Sequence, residues 1–302
     1  MRPAHVLYAR PRPIINSFVA CMCSPSRPGR APYPSIRRTA AGGLKERTSS
    51  RMGQSVLVAK MGTRRGGSDD GALLTLFRAI AFPEDDDEVA RRLEASLDLA
   101  VCPIHIGATR DYAKQYFLTG IHHYVYSGDT ALHIAAASHR RQLAASLVTR
   151  GAEVRARNRR GAEPLHYAAD GGPAADGWDS SAQHDVITYL IDAGADPNAL
   201  DKSGVAPLHR AVRNRCSMAV SALIDHGADP LLMNKTGSTP LHLAVQNTGK
   251  SNSGSEAAKD EQGRIIGLLL RHGARPSDVD AKGKAVIDAT ASDWIRDLLT
   301  NP

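Results

Sequence analysis

An all-α solenoid of stacked helix–turn–helix units is the fold class that the sequence predicts, and three observations predict it. A nine-residue core opening on Gly and centred on Leu-His recurs four times. Each copy leads into an apolar helical stripe and then a Gly-Ala pair. Aromatic residues make up only 5% of the 302 residues against 42% apolar, which suits an alanine-rich helical core.

The four copies are Gly128-Asp-Thr-Ala-Leu-His-Ile-Ala-Ala136, Gly161-Ala-Glu-Pro-Leu-His-Tyr-Ala-Ala169, Gly204-Val-Ala-Pro-Leu-His-Arg-Ala-Val212 and Gly237-Ser-Thr-Pro-Leu-His-Leu-Ala-Val245. Their opening glycines lie 33, 43 and 33 residues apart, and the Gly-Ala glycines Gly151, Gly194, Gly227 and Gly273 lie 43, 33 and 46 apart. Pro164, Pro207 and Pro240 fall where a first helical turn tolerates a missing N–H. Thr130 and Thr239 are placed to cap that turn, whereas Glu163 and Ala206 weaken the pattern. Leu132, Leu165, Leu208 and Leu241 should point inward, with Ala135, Ala168, Ala211 and Ala244 letting a second helix approach closely. The pairs Leu143/Leu147, Val186/Leu190, Ala219/Leu223 and Ile265/Leu269 give that second helix a buried stripe. The Gly that follows ends it in a left-handed turn.

The pattern resembles the ankyrin repeat, whose period is 33 residues with a Thr-Pro-Leu-His-x-Ala signature, over roughly 128–302. The resemblance implies units at 128–160, 161–203, 204–236 and 237–282, with 283–302 as a decayed fifth that carries Asp288 in the His slot. It also implies that His133, His166, His209 and His242 are structural, bonding backbone near the hairpins and joining neighbouring repeats. One helix pair cannot hide its own apolar face, so stacking must complete the core. Ahead of the array, 69–127 reads as an atypical cap. Leu73–Ile80 and Glu88–Leu99 form a helix pair there, the acidic run Asp85–Glu88 opening the second at its positive dipole end. A connector, 101–127, gathers Tyr112, Tyr116, Phe117, Tyr124 and Tyr126. Tyr112, Tyr116 and Leu118 suit one side of a short helix, as extra core or as a binding patch.

The net charge of +7 is uneven. Residues 1–68 carry thirteen Lys/Arg against Glu46 alone, while residues 69–302 carry twenty-five Lys/Arg and thirty Asp/Glu. The high isoelectric point therefore belongs to the leader and is no nucleic-acid signal from the folded part. Rich in Arg, Pro, Ser and Gly, the leader 1–68 reads as a disordered tail. Its other readings are a transit peptide, a faint lipoprotein-type signal ending at Cys21, a phosphate-binding arm, or a stretch preceding a true start at Met52 or Met61. The expected location is cytoplasmic, or organellar or exported if the leader is a targeting segment.

Catalysis finds no foothold. There is no P-loop, G-x-G-x-x-G, G-x-S-x-G or H-E-x-x-H, and four cysteines without C-x-x-C suggest neither zinc nor a disulfide framework. Histidines one repeat apart, about 8–10 Å across packed helices, do not share a metal ion, and neighbours His122 and His123 point apart. Cys102 and Cys216 read as inert thiols. No cofactor and no metal are expected, and no span crosses a membrane.

The resemblance implies a non-catalytic protein–protein scaffold, a monomer that presents hairpin tips and first-helix residues. Carrying those positions across gives Tyr126, Asp129 and Ala137, then Arg157, Arg159, Arg160 and Asp170. Leu200, Lys202, Val205, Arg213 and Asn214 follow, and then Met233, Lys235, Ser238, Gln246 and Asn247. The excess of cations predicts a concave ridge that selects an acidic protein partner. The alternative is a nucleic-acid- or anion-associated factor that uses its basic leader. Two polar inserts, 171–182 and 248–262, are expected as loops emerging on one side. Trp178 is either a contact residue at the tip of the first or folded back on the solenoid.

Overall fold

Residues 67–173, 178–246 and 255–301 are described in the structure, a computed structural model, and all lie in one unit, Met61–Pro302. The expected disordered leader, but for its last two residues, lies outside the described residues, as do parts of both inserts and Asn247.

The cap is built as α1 (Gly67–Ile80), a 3-10 turn Pro83–Asp85, α2 (Asp86–Ala95) and a single turn, α3 (Asp98–Val101). Leu73, Leu76, Phe77 and Ile80 are buried along α1, as are Val89 and Leu93 along α2. The expected helix Glu88–Leu99 is corrected here. The chain breaks at Ser96, which is extended (φ −152°) and whose N–H closes on the Arg92 carbonyl. The acidic opening of α2 is as expected, and Glu88 also pairs with Arg91 and Arg92 at 2.5 and 2.6 Å.

The connector is a hairpin finger. Strand β1 (Phe117–Leu118) pairs antiparallel with β2 (His123–Tyr124) around a turn in which His122 is left-handed (φ 50°). Tyr112, Tyr116 and Leu118 do not share a helix face, contrary to expectation. Tyr112 is exposed, Tyr116 half-buried on the core as the last residue of a 3-10 turn, and Leu118 buried in β1. Two-residue alternation in the strand sends Leu118 inward and leaves Phe117 to pair with Tyr124 across the hairpin, ring centroids 4.8 Å apart.

Five helix pairs then stack. They are α4 (Ala131–Ala137) with α5 (Arg141–Thr149), α6 (Pro164–Ala168) with α7 (Ser180–Asp192), and α8 (Pro207–Arg213) with α9 (Ser217–Asp225). The last two are α10 (Pro240–Ala244) with α11 (Glu256–Arg271), and α12 (Val286–Ala289) with α13 (Asp293–Thr300). First helices pack on first helices and second on second, leaving the connecting hairpins as a row along one edge. The inward leucines and the alanines three residues on are buried at every repeat. Gly151, Gly194, Gly227 and Gly273 all take positive φ at the ends of the second helices.

The turn between the paired helices has two solutions. In the first and third repeats it is tight. Arg140 N–H and Cys216 N–H close on the carbonyls of Ala135 and Ala211, both at 3.0 Å, with His139 and Arg215 left-handed (φ 53° and 62°). In the second and fourth repeats the inserts interrupt that turn, and a glutamine of the second helix takes over. Gln183 Nε2 donates to Ala168 O and Asp170 O at 2.9 and 3.1 Å. Gln262 Nε2 does the same to Ala244 O and Gln246 O at 2.6 and 2.9 Å. The preceding repeat reaches the same carbonyls: His139 Nε2 donates to Asp170 O at 3.1 Å, and Arg215 NH2 to Gln246 O at 2.8 Å.

The inserts are shorter than expected because α7 and α11 extend back to Ser180 and Glu256. Their caps are Asp179, accepting from Ser181 N and Ala182 N, and Ser255, accepting from Ala258 N. Trp178 folds back half-buried on the core, its ring edge-on to His139 with centroids 5.1 Å apart.

Candidate partner-binding surface

Each hairpin is shaped by an Asn or Asp at one position. Asn158 Oδ1 accepts from Arg160 N and Ala162 N, and Asp201 Oδ1 from Ser203 N and Val205 N. Asn234 and Asp280 clamp the next two hairpins in the same way. Short polar side chains suit this job because they bond their own backbone two residues on. The Gly that follows leaves room for the neighbouring hairpin. A Cβ on Gly128 would stand 2.7 Å from Asn158 Cα, and one on Gly237 would stand 2.4 Å from Ala281 N. The tips therefore nest, with Arg159 N–H on Ser127 O at 2.8 Å and Lys202 N–H on Arg160 O at 2.9 Å.

Behind the tips, the four signature histidines tie repeat to repeat. The Nδ1 atoms of His133, His166, His209 and His242 accept from the backbone N–H of Thr130, Glu163, Ala206 and Thr239 at 3.1–3.3 Å. Their Nε2 atoms donate to Ala162 O, Val205 O, Ser238 O and Lys284 O in the following unit at 3.1–3.3 Å. One ring that accepts at Nδ1 and donates at Nε2 is a neutral imidazole. Burial pushes His133 and His209 below the ordinary histidine range and His166 to about 3. The helix starts are thus capped by the histidine whatever precedes it, which is why Glu163 and Ala206 are tolerated. Thr130 departs from expectation: its hydroxyl meets His133 Nδ1 at 3.0 Å, and only Thr239 caps with its oxygen, at 3.5 Å.

The expected contact residues separate into two groups. Arg157, Arg159, Arg160, Lys202, Met233 and Lys235 are exposed on the hairpins, and Arg213 is half-buried. Several guanidinium and ammonium groups are steadied by backbone carbonyls: Arg157 by Gly161 O and Leu200 O, Arg159 by Ala108 O, Lys235 by Lys202 O. Arg159 and Arg160 both lie over the ring of half-buried Tyr126, at 5.3 and 4.8 Å from its centroid, and Arg160 donates to its hydroxyl. Such contacts orient Arg159, Arg160 and Lys235 without neutralising them, whereas Arg157 also lies 3.9 Å from the buried Glu163 carboxylate.

Other positions are withdrawn from the surface. Val205 is buried. Asp129 is buried too, taking hydrogen bonds from Asn158 Nδ2 and the Tyr167 hydroxyl at 2.8 and 2.9 Å. Asp170 is part of a cross-repeat network. Arg210 bonds Asp170 Oδ2 at 2.8 Å and Asp201 Oδ2 at 3.2 Å, Asn214 bonds Asp170 Oδ1 at 3.1 Å, and His123 Nε2 lies 3.6 Å away. Burial alone would raise the Asp170 carboxyl, but Arg210 and His123 outweigh it and hold it well below the usual carboxylate range. Sequence alignment places Asp129, Asp170 and Val205 in columns that often face a partner. It does not register that Tyr167 and Arg210, at the x position of the signature, draw the carboxylates inward.

Burial pushes the Cys216 thiol up to about 12, so it stays protonated. Among the described residues no group of three or more His, Cys, Asp or Glu side chains is placed to hold a metal ion. Nor is any helix among them long and apolar enough to cross a membrane.

The comparison with known families meets this geometry directly. A family model of three ankyrin repeats matches residues 174–280, and the single ankyrin-repeat model matches residues 127–159. The chain is an ankyrin-repeat protein. No curated protein matches it. The stretch between the two matches holds Glu163 in the Thr slot and the start of the first insert. Even so, the ankyrin fold is intact there, with His166 making the bonds of its counterparts. Ankyrin repeats generally mediate protein–protein interaction, which implies a protein partner.

Proposed function

We propose that the array is a non-catalytic, monomeric recognition scaffold whose hairpin row selects an acidic protein segment. The observation that carries this reading is the division of charge along the hairpins. Asp196, Asp201, Asp229, Asp278 and Asp280 each accept a backbone N–H of their own hairpin. Arg157, Arg160, Lys202 and Lys235 stand exposed. Attraction between such a row and an acidic segment is screened over about 8 Å at physiological salt, so it acts at contact and falls with added salt.

The test is titration of the full chain with fluorescent peptides of matched length, one Glu-rich and one neutral. The acidic peptide should bind tighter, and Arg157, Arg159 and Arg160 changed together to Glu should abolish the difference. Lys202→Glu, which keeps those steadying contacts, should weaken binding on its own. Equal binding of both peptides rejects the ridge. Salt-sensitive binding that disappears on deletion of 1–68 instead assigns the affinity to the basic leader, and with it an anion- or nucleic-acid-associated role.

A further inference from the structure

We infer that the hairpin row also carries an aliphatic strip, and that the acidic partner segment is extended, with an aliphatic side chain at every third residue seated on it. The inference rests on the acid-selecting reading above and names the partner's second chemical requirement.

Three exposed aliphatic side chains occupy one and the same position on successive hairpins, the residue just before the Asn or Asp clamp. Leu200 precedes Asp201, Met233 precedes Asn234 and Val279 precedes Asp280, and they are 39%, 48% and 48% exposed. Leu231, 45% exposed, widens the strip on the middle hairpin. Scattered exposed apolar residues are ordinary, but one recurring at the same position of three successive hairpins points to an interaction site. At the same position of the preceding hairpin stands Arg157, which donates to the Leu200 carbonyl and closes the strip with a cation. The fringe is basic along its length: Lys202 and Lys235 lie two residues beyond Leu200 and Met233, and Lys282 three beyond Val279. Apolar anchors edged by cations fit a segment that alternates aliphatic and acidic side chains.

Spacing selects its conformation. Neighbouring repeats are separated by the packing distance of their helices, about 8–10 Å. A polyproline II segment rises about 3.1 Å per residue with three residues per turn, so every third side chain returns to one face after about 9 Å. A β-strand places alternate side chains on one face at about 6.6 Å and falls out of register with the row.

The probes are the peptides (Leu-Pro-Glu)4 and (Ala-Pro-Glu)4, equal in charge and backbone preference, titrated against the full chain. The leucine peptide should bind at least tenfold tighter. Leu200→Ser with Met233→Ser should bring it down to the alanine peptide's affinity, leaving the alanine peptide and the melting temperature unchanged. If both peptides bind equally while the Arg157/Arg159/Arg160 reversal still weakens them, the strip is wrong and the basic ridge stands. If neither binds, both fail together. If the free chain is a dimer that Met233→Ser disperses, a second copy covers the strip and the inference is overturned.

Discussion

Gln262 Nε2 donates to the carbonyl of Ala244 at 2.6 Å, across the point where the second insert leaves the solenoid. Ala168 receives Gln183 at the first insert, whereas Ala135 and Ala211 receive a backbone N–H from a tight turn. The same carbonyl is satisfied in all four repeats, by side chain where chain length has removed the main-chain donor. Buried backbone acceptors are expensive to leave unpaired, so an insert at this place requires such a donor.

Gln183→Ala and Gln262→Ala should each destabilise the chain by about 1–3 kcal/mol, the cost of orphaned buried carbonyls. Substitution by Glu should cost more, since a carboxylate can only accept and would face two carbonyls. Urea unfolding at neutral pH measures both.

The buried histidines set a pH dependence. His133, His166 and His209 have folded-state values held below the ordinary histidine value by burial, His166 at about 3. Below about pH 6.5 the unfolded chain therefore binds protons that the native state refuses. Stability is full above that pH and falls as pH drops from 6.5 toward 3, by up to about 1.4 kcal/mol per pH unit for each such histidine. Melting temperatures from pH 7.5 to 4.5 should trace this loss. Carbon-13 and nitrogen-15 shifts should show the His166 ring still neutral at pH 5.5, with the proton on Nε2.

Arg210→Met should leave Asp170 and Asp201 without their shared partner and destabilise the chain, by less than the about 3–5 kcal/mol of a fully buried ion pair because both carboxylates are only part-buried. Combining it with Asp170→Asn should recover part of the loss. A double-mutant cycle in urea shows whether the two sites are coupled.

The two kinds of positive-φ glycine should differ. Gly227→Ala meets open space and incurs only the left-handed penalty, about 1–2 kcal/mol. Gly237→Ala adds a collision with the Ala281 backbone and should cost distinctly more. Paired denaturation curves would rank them.

The repeat core was legible because its residues report purely local demands. Leu-His at the start of a helix, Ala three residues after the Leu and Gly after the second helix each answer one geometric need, repeated four times. Tyr116 and Leu118 were harder. Their segment has no period, and a two-residue strand gives too short an alternation to distinguish from a helical turn. Asp129 and Asp170 were misplaced because their partners, Tyr167 and Arg210, lie about forty residues away in sequence, and no local pattern records such a pairing. Leu231 and Val279 stand on the same row of hairpins, but an aliphatic side chain there carries no charge to set it apart in sequence.

The alternation of tight and inserted turns divides the array into two matching couples, 128–203 and 204–282, in which His139 and Arg215, and Gln183 and Gln262, are counterparts. The joint within a couple is therefore unlike the joint between couples. Excision of 161–236 would bring His139 opposite Gln246 and rebuild an inner joint, yielding a shorter molecule with familiar seams. Removing one repeat alone would splice mismatched ends.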